Sequence, residues 1–468
     1  MSAPARPAPA GSRESATRTY RALWRWHFYA GLVVAPFLLI LSITGAIYLF
    51  NDEIDDALYP TRRFVPAHVA QLPPSRLVDA ALSAHPGKVT RIDMPAAANR
   101  PAIVFVTPAA GDPLRVAVDP GSGRVLGDYI YTRTLVGMAD TLHGSLMLGW
   151  WGGLVMELAA GWAIVLIATG LYLWWPRGRR GLAGVVFPRL HLRGRVVWRD
   201  IHAVTGVWTV ALIAFLLLTG LPWAQVQGDV IRDMLSRVGG GYPVSHATSN
   251  APSSAPMKAA LGSAPWTLEG APMPVSAMPS AHAEHMAPAG TTDRAAIAGL
   301  DAVAATLARD HALAGGYRLF PPAGPTGVYT AYTYPDRPQG QRSLYFDRYS
   351  GRLIRDVGFA DYGIGARAIE LGVQLHMGNY FGTVNQIVML LPCIGIVVLV
   401  VSGVAMWWKR RPAGRLAAPP RVPGARVAGA VAILTAAGVM MPVLGVSLLA
   451  AAAIDLLVRW RSARATPI

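Results

Sequence analysis

The sequence predicts an α-helical membrane protein made by duplication, in which a helix, an external α+β domain and a second helix occur twice. Three observations predict it. Hydrophobic residues make up 53% of the 468 positions and charged residues only 15%, a poor balance for a soluble chain of this length. Four apolar runs, near 24–50, 146–175, 201–223 and 384–408, reach the roughly 20 residues that cross a bilayer. The third observation is a repeated histidine frame. His27 is followed by Gly31 and by Thr44-Gly45, and His202 by Gly206 and by Thr219-Gly220, with four residues from His to the first Gly and eighteen to the last in both copies. His143 and His376 share a second frame: Gly170 and Gly403 follow after 27 residues, and Trp174-Trp175 and Trp407-Trp408 begin after 31.

The net charge of +16 is not spread as a nucleic-acid surface would be, and no nucleic-acid partner is expected. Residues 1–26 carry five Arg and one Glu, 176–200 seven Arg and one Asp, and 409–426 one Lys and five Arg. The long stretches 51–142 and 225–383 are nearly neutral, at nine basic against ten acidic and twelve against twelve. By the positive-inside rule the basic segments are cytoplasmic and both long stretches face the other side, the periplasm in a Gram-negative bacterium. The single cysteine, Cys393, falls inside an apolar run, so no intramolecular disulfide or Cys-based metal site is expected. No C-x-x-C-H occurs, which argues against covalently attached haem.

In chain order, a cytoplasmic tail over 1–23 leads to a first span, 24–50, whose Trp24, Trp26 and Tyr29 suit an interfacial belt. Residues 51–142 read as a small α+β domain: a helix over 75–84, strands over 89–94, 102–107 and 114–119, and a hairpin turn at Asp119-Pro-Gly-Ser-Gly-Arg. The second span is expected over 143–175, running on continuously from His143. A basic loop, 176–199, is too short for a nucleotide-binding domain. The third span covers 200–224. Residues 225–292 form a Pro/Ser/Ala/Gly-rich insert of expected irregular structure. Residues 293–375 repeat the α+β domain, with a helix over 295–313, strands over 317–320, 328–334 and 343–347, and a second Asp-x-x-x-Gly-Arg turn at Asp347. The fourth span is expected over 376–408, followed by a basic loop, 409–426. The last apolar stretch, 427–460, reads as a helical hairpin bent near Pro442 or as one long tilted helix.

This topology places His27 and His202 at the cytoplasmic ends of the first and third spans. It places His143 and His376 at the external ends of the second and fourth. Imidazoles at membrane depth are costly unless they are paired or ligating. Two facing each other across a bundle are the axial pair of a six-coordinate b-type haem. The expected cofactors are therefore two haem b groups per chain, one held by His27 and His202 and one by His143 and His376. Gly31 and Gly206, one turn from their histidines, remove bulk where a flat macrocycle must approach. Glu157, near mid-span with Leu390 at the matched position, reads either as a proton site or haem neighbour or as a polar packing contact. In the insert, Met273, Met278, His282, His285 and Met286 are soft ligands of the kind that bind copper. On composition the same segment reads as a plain linker.

Several stretches resemble the PepSY-associated transmembrane family, which includes iron-regulated inner-membrane proteins and ferric-siderophore reductases. They are Trp24-Arg-Trp-His27-Phe-Tyr-Ala-Gly31, Leu142-His143-Gly144, Asp200-Ile-His202-Ala-Val-Thr-Gly206-Val-Trp208, Leu375-His376-Met-Gly378 and Trp407-Trp408-Lys-Arg-Arg-Pro412. The Asp-x-x-x-Gly-Arg turns look like PepSY hairpins, and the resemblance runs over about 20–460. It implies a bacterial inner-membrane protein in lipid, with its N-terminus cytoplasmic and two periplasmic PepSY domains. It further implies two b haems on His27, His143, His202 and His376, passing electrons outward to a ferric siderophore or other ferric chelate. No dinucleotide fingerprint or fused flavin domain is evident, so the donor is expected to be separate, a membrane quinol or a cytoplasmic flavoprotein. Other functions compete: a non-redox membrane protein whose PepSY domains bind an external peptide or protein, a copper- or metal-handling reductase, and metal permeation with the histidines as pathway ligands.

Overall fold

The computed structural model describes residues 10–68, 70–176, 181–242, 253–262, 264–277, 293–311, 313, 316–412, 414, 419–420 and 427–464. A long helix, α1 (Ala10–Leu49), opens the chain. Two short helices, α2 (Asn51–Leu58) and α3 (Pro60–Arg63), lead to α4 (Pro74–Ala84) and to strands β1 (Lys88–Met94), β2 (Ala102–Thr107), β3 (Leu114–Val118) and β4 (Val125–Tyr129). Then come α5 (Leu135–Ser145), α6 (Gly149–Trp174), α7 (Arg195–Gly220) and α8 (Gln227–Arg237). The insert contributes β5 (Ser253–Pro256), α9 (Met257–Leu261) and β6 (Pro272–Pro274). The second copy follows with α10 (Arg294–Thr306), β7 (Tyr317–Phe320), β8 (Val328–Tyr332), β9 (Arg342–Asp347), β10 (Leu353–Gly358) and α11 (Ile364–His376). The chain ends with α12 (Thr383–Trp408), α13 (Ala428–Met440) and α14 (Pro442–Arg464). These elements fall into two compact units, one helical and one built on strands, with boundaries at the end of α1 and inside α5, α8 and α12.

In the helical unit, four helices are long and apolar enough to cross a membrane: Thr17–Leu49 of α1, α6, α7 with its short extension to Trp223, and α12. Helix satisfies backbone groups internally, the condition for spanning hydrocarbon, with one bond lost at Pro36 of α1 and one at Pro392 of α12. Large apolar side chains such as Val33, Trp151, Leu218 and Val401 remain exposed on their outer faces, where lipid takes the place of water. The last stretch is a hairpin, broken at Met441 and Pro442. Its two helices cross at Gly438 and Gly445, where a Cβ on Gly438 would stand 2.9 Å from the Gly445 Cα. α14 packs on α6, with Leu444 against Gly161 and the Trp162 indole donating to Ser447 Oγ at 3.1 Å.

Two boundaries correct the sequence expectation, and they do so alike. The second span begins at Gly149 rather than at His143. Between them Leu146 and Met147 take φ of 52° and 57°, a region that side chains with a Cβ rarely enter, and the chain turns. The fourth span begins at Thr383, and α11 closes at His376. Gly378 and Gly382, at φ of 81° and 59°, make that turn. Each histidine of the second frame thus stands on a short helix before a tight turn, not at the head of the spanning helix. The helix expected to run to Leu313 instead ends at Thr306, with a single π turn over Leu307–His311.

The strand unit replaces the two expected domains with one body. Eight of its ten described strands form a single antiparallel sheet in the order β10-β9-β8-β7-β1-β2-β3-β4, and β5 pairs with β6 apart from it. The halves meet where β1 pairs with β7, Ile92 opposite Leu319, Asp93 opposite Arg318 and Met94 opposite Tyr317. Strand alternation sends Val104, Val116, Tyr329, Ala331, Leu344 and Phe346 to one face, into a core with Leu77 and Val78 of α4 and Leu300 of α10. In the second half the other face is buried too: Val328, Tyr332 and Tyr345 pack with Tyr362 and Ala366 and with Met257, Leu268 and Met273 of the insert. The described part of the insert is therefore ordered, and it covers the sheet. Both Asp-x-x-x-Gly-Arg motifs are turns closed by their aspartate. Asp119 accepts from the Gly121 N–H and the Ser122 hydroxyl at 2.9 and 2.7 Å. Asp347 accepts from the Tyr349 and Ser350 N–H groups at 3.0 and 2.8 Å. Gly123 and Gly351 supply the left-handed residue, at φ of 73° and 67°.

An ion-pair cluster ties α2 and α3 to the β1–β2 connection. Asp56 binds Arg100 through both oxygens, at 2.6 and 2.7 Å, and Arg63 at 2.8 Å. The hydrogen bonds from Arg100, then those from Arg63, hold the Asp56 carboxyl below the usual carboxylate range against the opposing effect of burial. A carboxyl whose pKa is lowered by folding stabilises the fold fully above its unfolded value of about 3.9, and that contribution is lost as pH falls through the lower folded value. Thermal unfolding of the strand unit should therefore shift down on acidification below about pH 4. An Asp56→Asn variant should show a lower midpoint at neutral pH and a flatter acid limb. An identical acid limb in both proteins would refute the assignment.

Candidate functional site

The head of α7 is held by a buried carboxylate. Asp200 accepts from Arg189 Nε at 2.7 Å and Nη2 at 3.2 Å, and from Arg199 Nη2 at 2.7 Å. This pins the loop between α6 and α7 two residues before His202. The same loop takes indole hydrogen bonds at Val185 O from Trp174 and at Val186 O from Trp208, both at 2.9 Å. Its folded course fixes where α7 begins and hence the depth of His202.

His27 of α1 and His202 of α7 come together. Their ring centroids are 6.3 Å apart and the rings stand at 89°. Each ring is braced by the other long helix of its own repeat. His27 Nδ1 lies 2.9 Å from Thr169 Oγ1 of α6. His202 Nδ1 lies 3.1 Å from Ser402 Oγ and 3.0 Å from Leu399 O of α12. The reciprocal contact occurs once more among the described residues of this unit: His143 Nδ1 is 3.0 Å from Thr44 Oγ1 of α1. His376 ends α11 in the strand unit. There the turn after it is tied by Asn379 Nδ2 to Gln374 Oε1 and by Asn385 Nδ2 to Leu375 O, both at 2.8 Å.

The Thr-Gly and Ser-Gly pairs that marked the repeat thus have a physical use that spacing alone did not reveal. The hydroxyl meets a histidine, and at Gly45 and Gly170 the glycine beside it also makes room for the ring. A Cβ at Gly170 would stand 3.3 Å from His27 Cε1, one at Gly45 3.2 Å from His143 Cε1, and one at Gly403 3.7 Å from His202 Cε1. Gly31 and Gly206 occupy different ground. A Cβ there would meet Leu166 at 3.8 Å and Leu399 at 3.6 Å, ordinary contacts with α6 and α12.

Glu157 is buried in α6, and its carboxylate accepts the Val226 and Gln227 N–H groups at 2.8 and 3.1 Å. It caps the N-terminus of α8, where unpaired N–H groups and the helix dipole favour negative charge. Of its two sequence readings, the structure displays the polar packing contact. Of the insert's soft ligands, Met273 is buried in the sheet core, where packing occupies its thioether. Met278, His282, His285 and Met286 lie outside the described residues.

Among the described residues no three or more His, Cys, Asp or Glu side chains cluster as a metal site. A bare ion in a protein-only cage takes about four protein ligands, whereas an axial histidine pair suits a metal that brings its own equatorial donors. No curated protein matches the chain in a whole-sequence comparison. A family model, the PepSY-associated TM region, matches residues 24–410. The chain belongs to the PepSY-associated transmembrane family. The match takes in the first spanning helix from Trp24 onward, the other three whole, the sheet of the strand unit and every histidine of the two frames. With its four membrane-spanning helices, this PepSY-associated protein is a multi-pass membrane protein.

Proposed function

We propose that this protein carries electrons across the bacterial inner membrane through two b-type haems and reduces a ferric chelate, a ferric siderophore above all, on the periplasmic side. The observation that carries the reading is the His27–His202 pair. Two imidazoles from different helices are the donor set that would hold a b-type haem. The rings of His27 and His202 stand 6.3 Å apart, on different helices and with each Nδ1 engaged on its own side. For His143 and His376 the support is the matched sequence frame, together with the same hydroxyl brace on His143.

Bound there, a haem supplies a one-electron iron couple in a low-dielectric setting. The chain's own residues would hold and orient the ligands: Thr169 and Ser402 brace the imidazoles, and Gly170 admits that of His27. The basic segments 1–26, 176–200 and 409–426 set the cytoplasmic side, where a quinol or flavoprotein donates. Outside, a ferric chelate accepts one electron, and the resulting Fe(II) is held more weakly by hard oxygen donors.

A reduced-minus-oxidised absorbance spectrum of the detergent-purified chain tests this. The expected result is low-spin b-type bands with about two haems per chain, the number four axial histidines allow, reoxidised by ferric chelates. A colourless protein, after expression with added haem, would overturn the redox reading and favour the family's non-redox alternative.

A further inference from the structure

Each hydroxyl that touches a candidate ligand has already committed its own proton. Thr169 Oγ1 lies 2.7 Å from Val165 O, Ser402 Oγ 2.6 Å from Val398 O and Thr44 Oγ1 2.6 Å from Ile40 O. In all three cases the carbonyl is four residues back in the same helix. A hydroxyl has one proton to donate and a carbonyl has none. At these short distances the hydroxyl therefore donates to the backbone, and only its lone pairs face the imidazole. Nδ1 of His27, His202 and His143 must then be the donor. His202 supports this independently, because its second partner, Leu399 O, can only accept. Thr219, at the place of Thr44 in the second repeat, makes the same internal bond, 2.7 Å to Phe215 O.

We propose that Thr169, Ser402 and Thr44 are positioning residues that lock His27, His202 and His143 in the Nδ1–H tautomer, so that Nε2 of each ring presents its lone pair to a metal. The consequence rests on the haem reading, but the tautomer itself does not. A neutral imidazole with its proton on Nδ1 cannot carry another on Nε2. The hydroxyl lone pair that accepts from Nδ1 also makes the ring a stronger electron donor at Nε2. A bound iron is then biased toward its oxidised state, which sets how readily the centre gives up an electron.

The test has two arms on the full-length protein. In the first, nitrogen-15 NMR of histidine-labelled protein, in the reduced diamagnetic state if haem is bound, reports which ring nitrogen carries hydrogen. A protonated Nδ1 on His27, His202 and His143 is expected, and a bare Nδ1 on any of them overturns the lock. In the second, Thr169→Val and Thr169→Ser are compared by redox titration. Thr169→Val should raise the midpoint potential of one centre by about 59 mV, a tenfold change in a one-electron equilibrium. Thr169→Ser, which keeps the acceptor, should restore it. An unchanged potential in Thr169→Val with haem bound sinks the tuning role. A wild-type chain that binds no haem instead sinks the haem reading, and the nitrogen spectrum then still decides the tautomer.

Discussion

Replacing either His27 or His202 with alanine should remove one haem signal and leave the other, cutting haem content from about two per chain to about one. The two rings stand 6.3 Å apart, so either truncation leaves a single imidazole and would break the proposed haem centre. The other candidate centre should be spared because it lies far along the same helix. Thr44, the brace of His143, follows His27 by 17 residues in α1, about 25 Å of helix rise. Electron delivery from the cytoplasmic side to an external ferric chelate should be abolished, while the surviving band still responds to a reductant added outside. Haem quantified per chain, with the difference spectrum, checks this. Both signals intact in His27→Ala and His202→Ala would remove those residues as ligands.

Truncating Ile92 to alanine should cost the strand unit about 2–5 kcal/mol, the range for deleting a buried branched side chain into a cavity. Ile92 is fully buried and pairs with Val104 of β2 on one side and Leu319 of β7 on the other. It therefore sits on the seam between the two halves of the sheet. Val357 of β10 is equally buried but near the far edge. Hydrogen exchange should show Ile92→Ala loosening strands on both sides of the seam, and Val357→Ala loosening mainly β9 and β10. If Ile92→Ala affected β1–β4 alone, the single cooperative sheet would be refuted.

The apolar runs of the spans, the first three strands of each copy and the histidine frames were legible because each rests on local pattern: long apolar runs, alternation, and turn residues at fixed intervals. What was not legible depends on contacts distant in sequence or on unfavourable local geometry. Leu146 and Met147 give no turn signal, yet both adopt left-handed backbone, so the break after His143 was invisible. The β1–β7 pairing joins strands more than 200 residues apart, and nothing in either strand names its neighbour. Composition alone marked the insert as a linker, whereas Met257, Leu268 and Met273 are core residues because Tyr332 and Tyr345 leave a second sheet face to cover. Thr44, Thr169 and Ser402 were visible as parts of a repeat. Their bonds to imidazoles needed the helix rotations that only packing sets.

The seam also bears on how a chain of half this length would behave. A single repeat would end its sheet at β1 or β7 with a bare row of backbone donors and acceptors, an edge prone to pairing with another chain. The contact between β1 and β7 is antiparallel and joins corresponding first strands of the two repeats, so two identical halves could make it about a twofold axis. The facing rings of His27 and His202 likewise come one from each repeat. Carrying both halves in one chain makes the seam intramolecular, so its pairing does not depend on protein concentration.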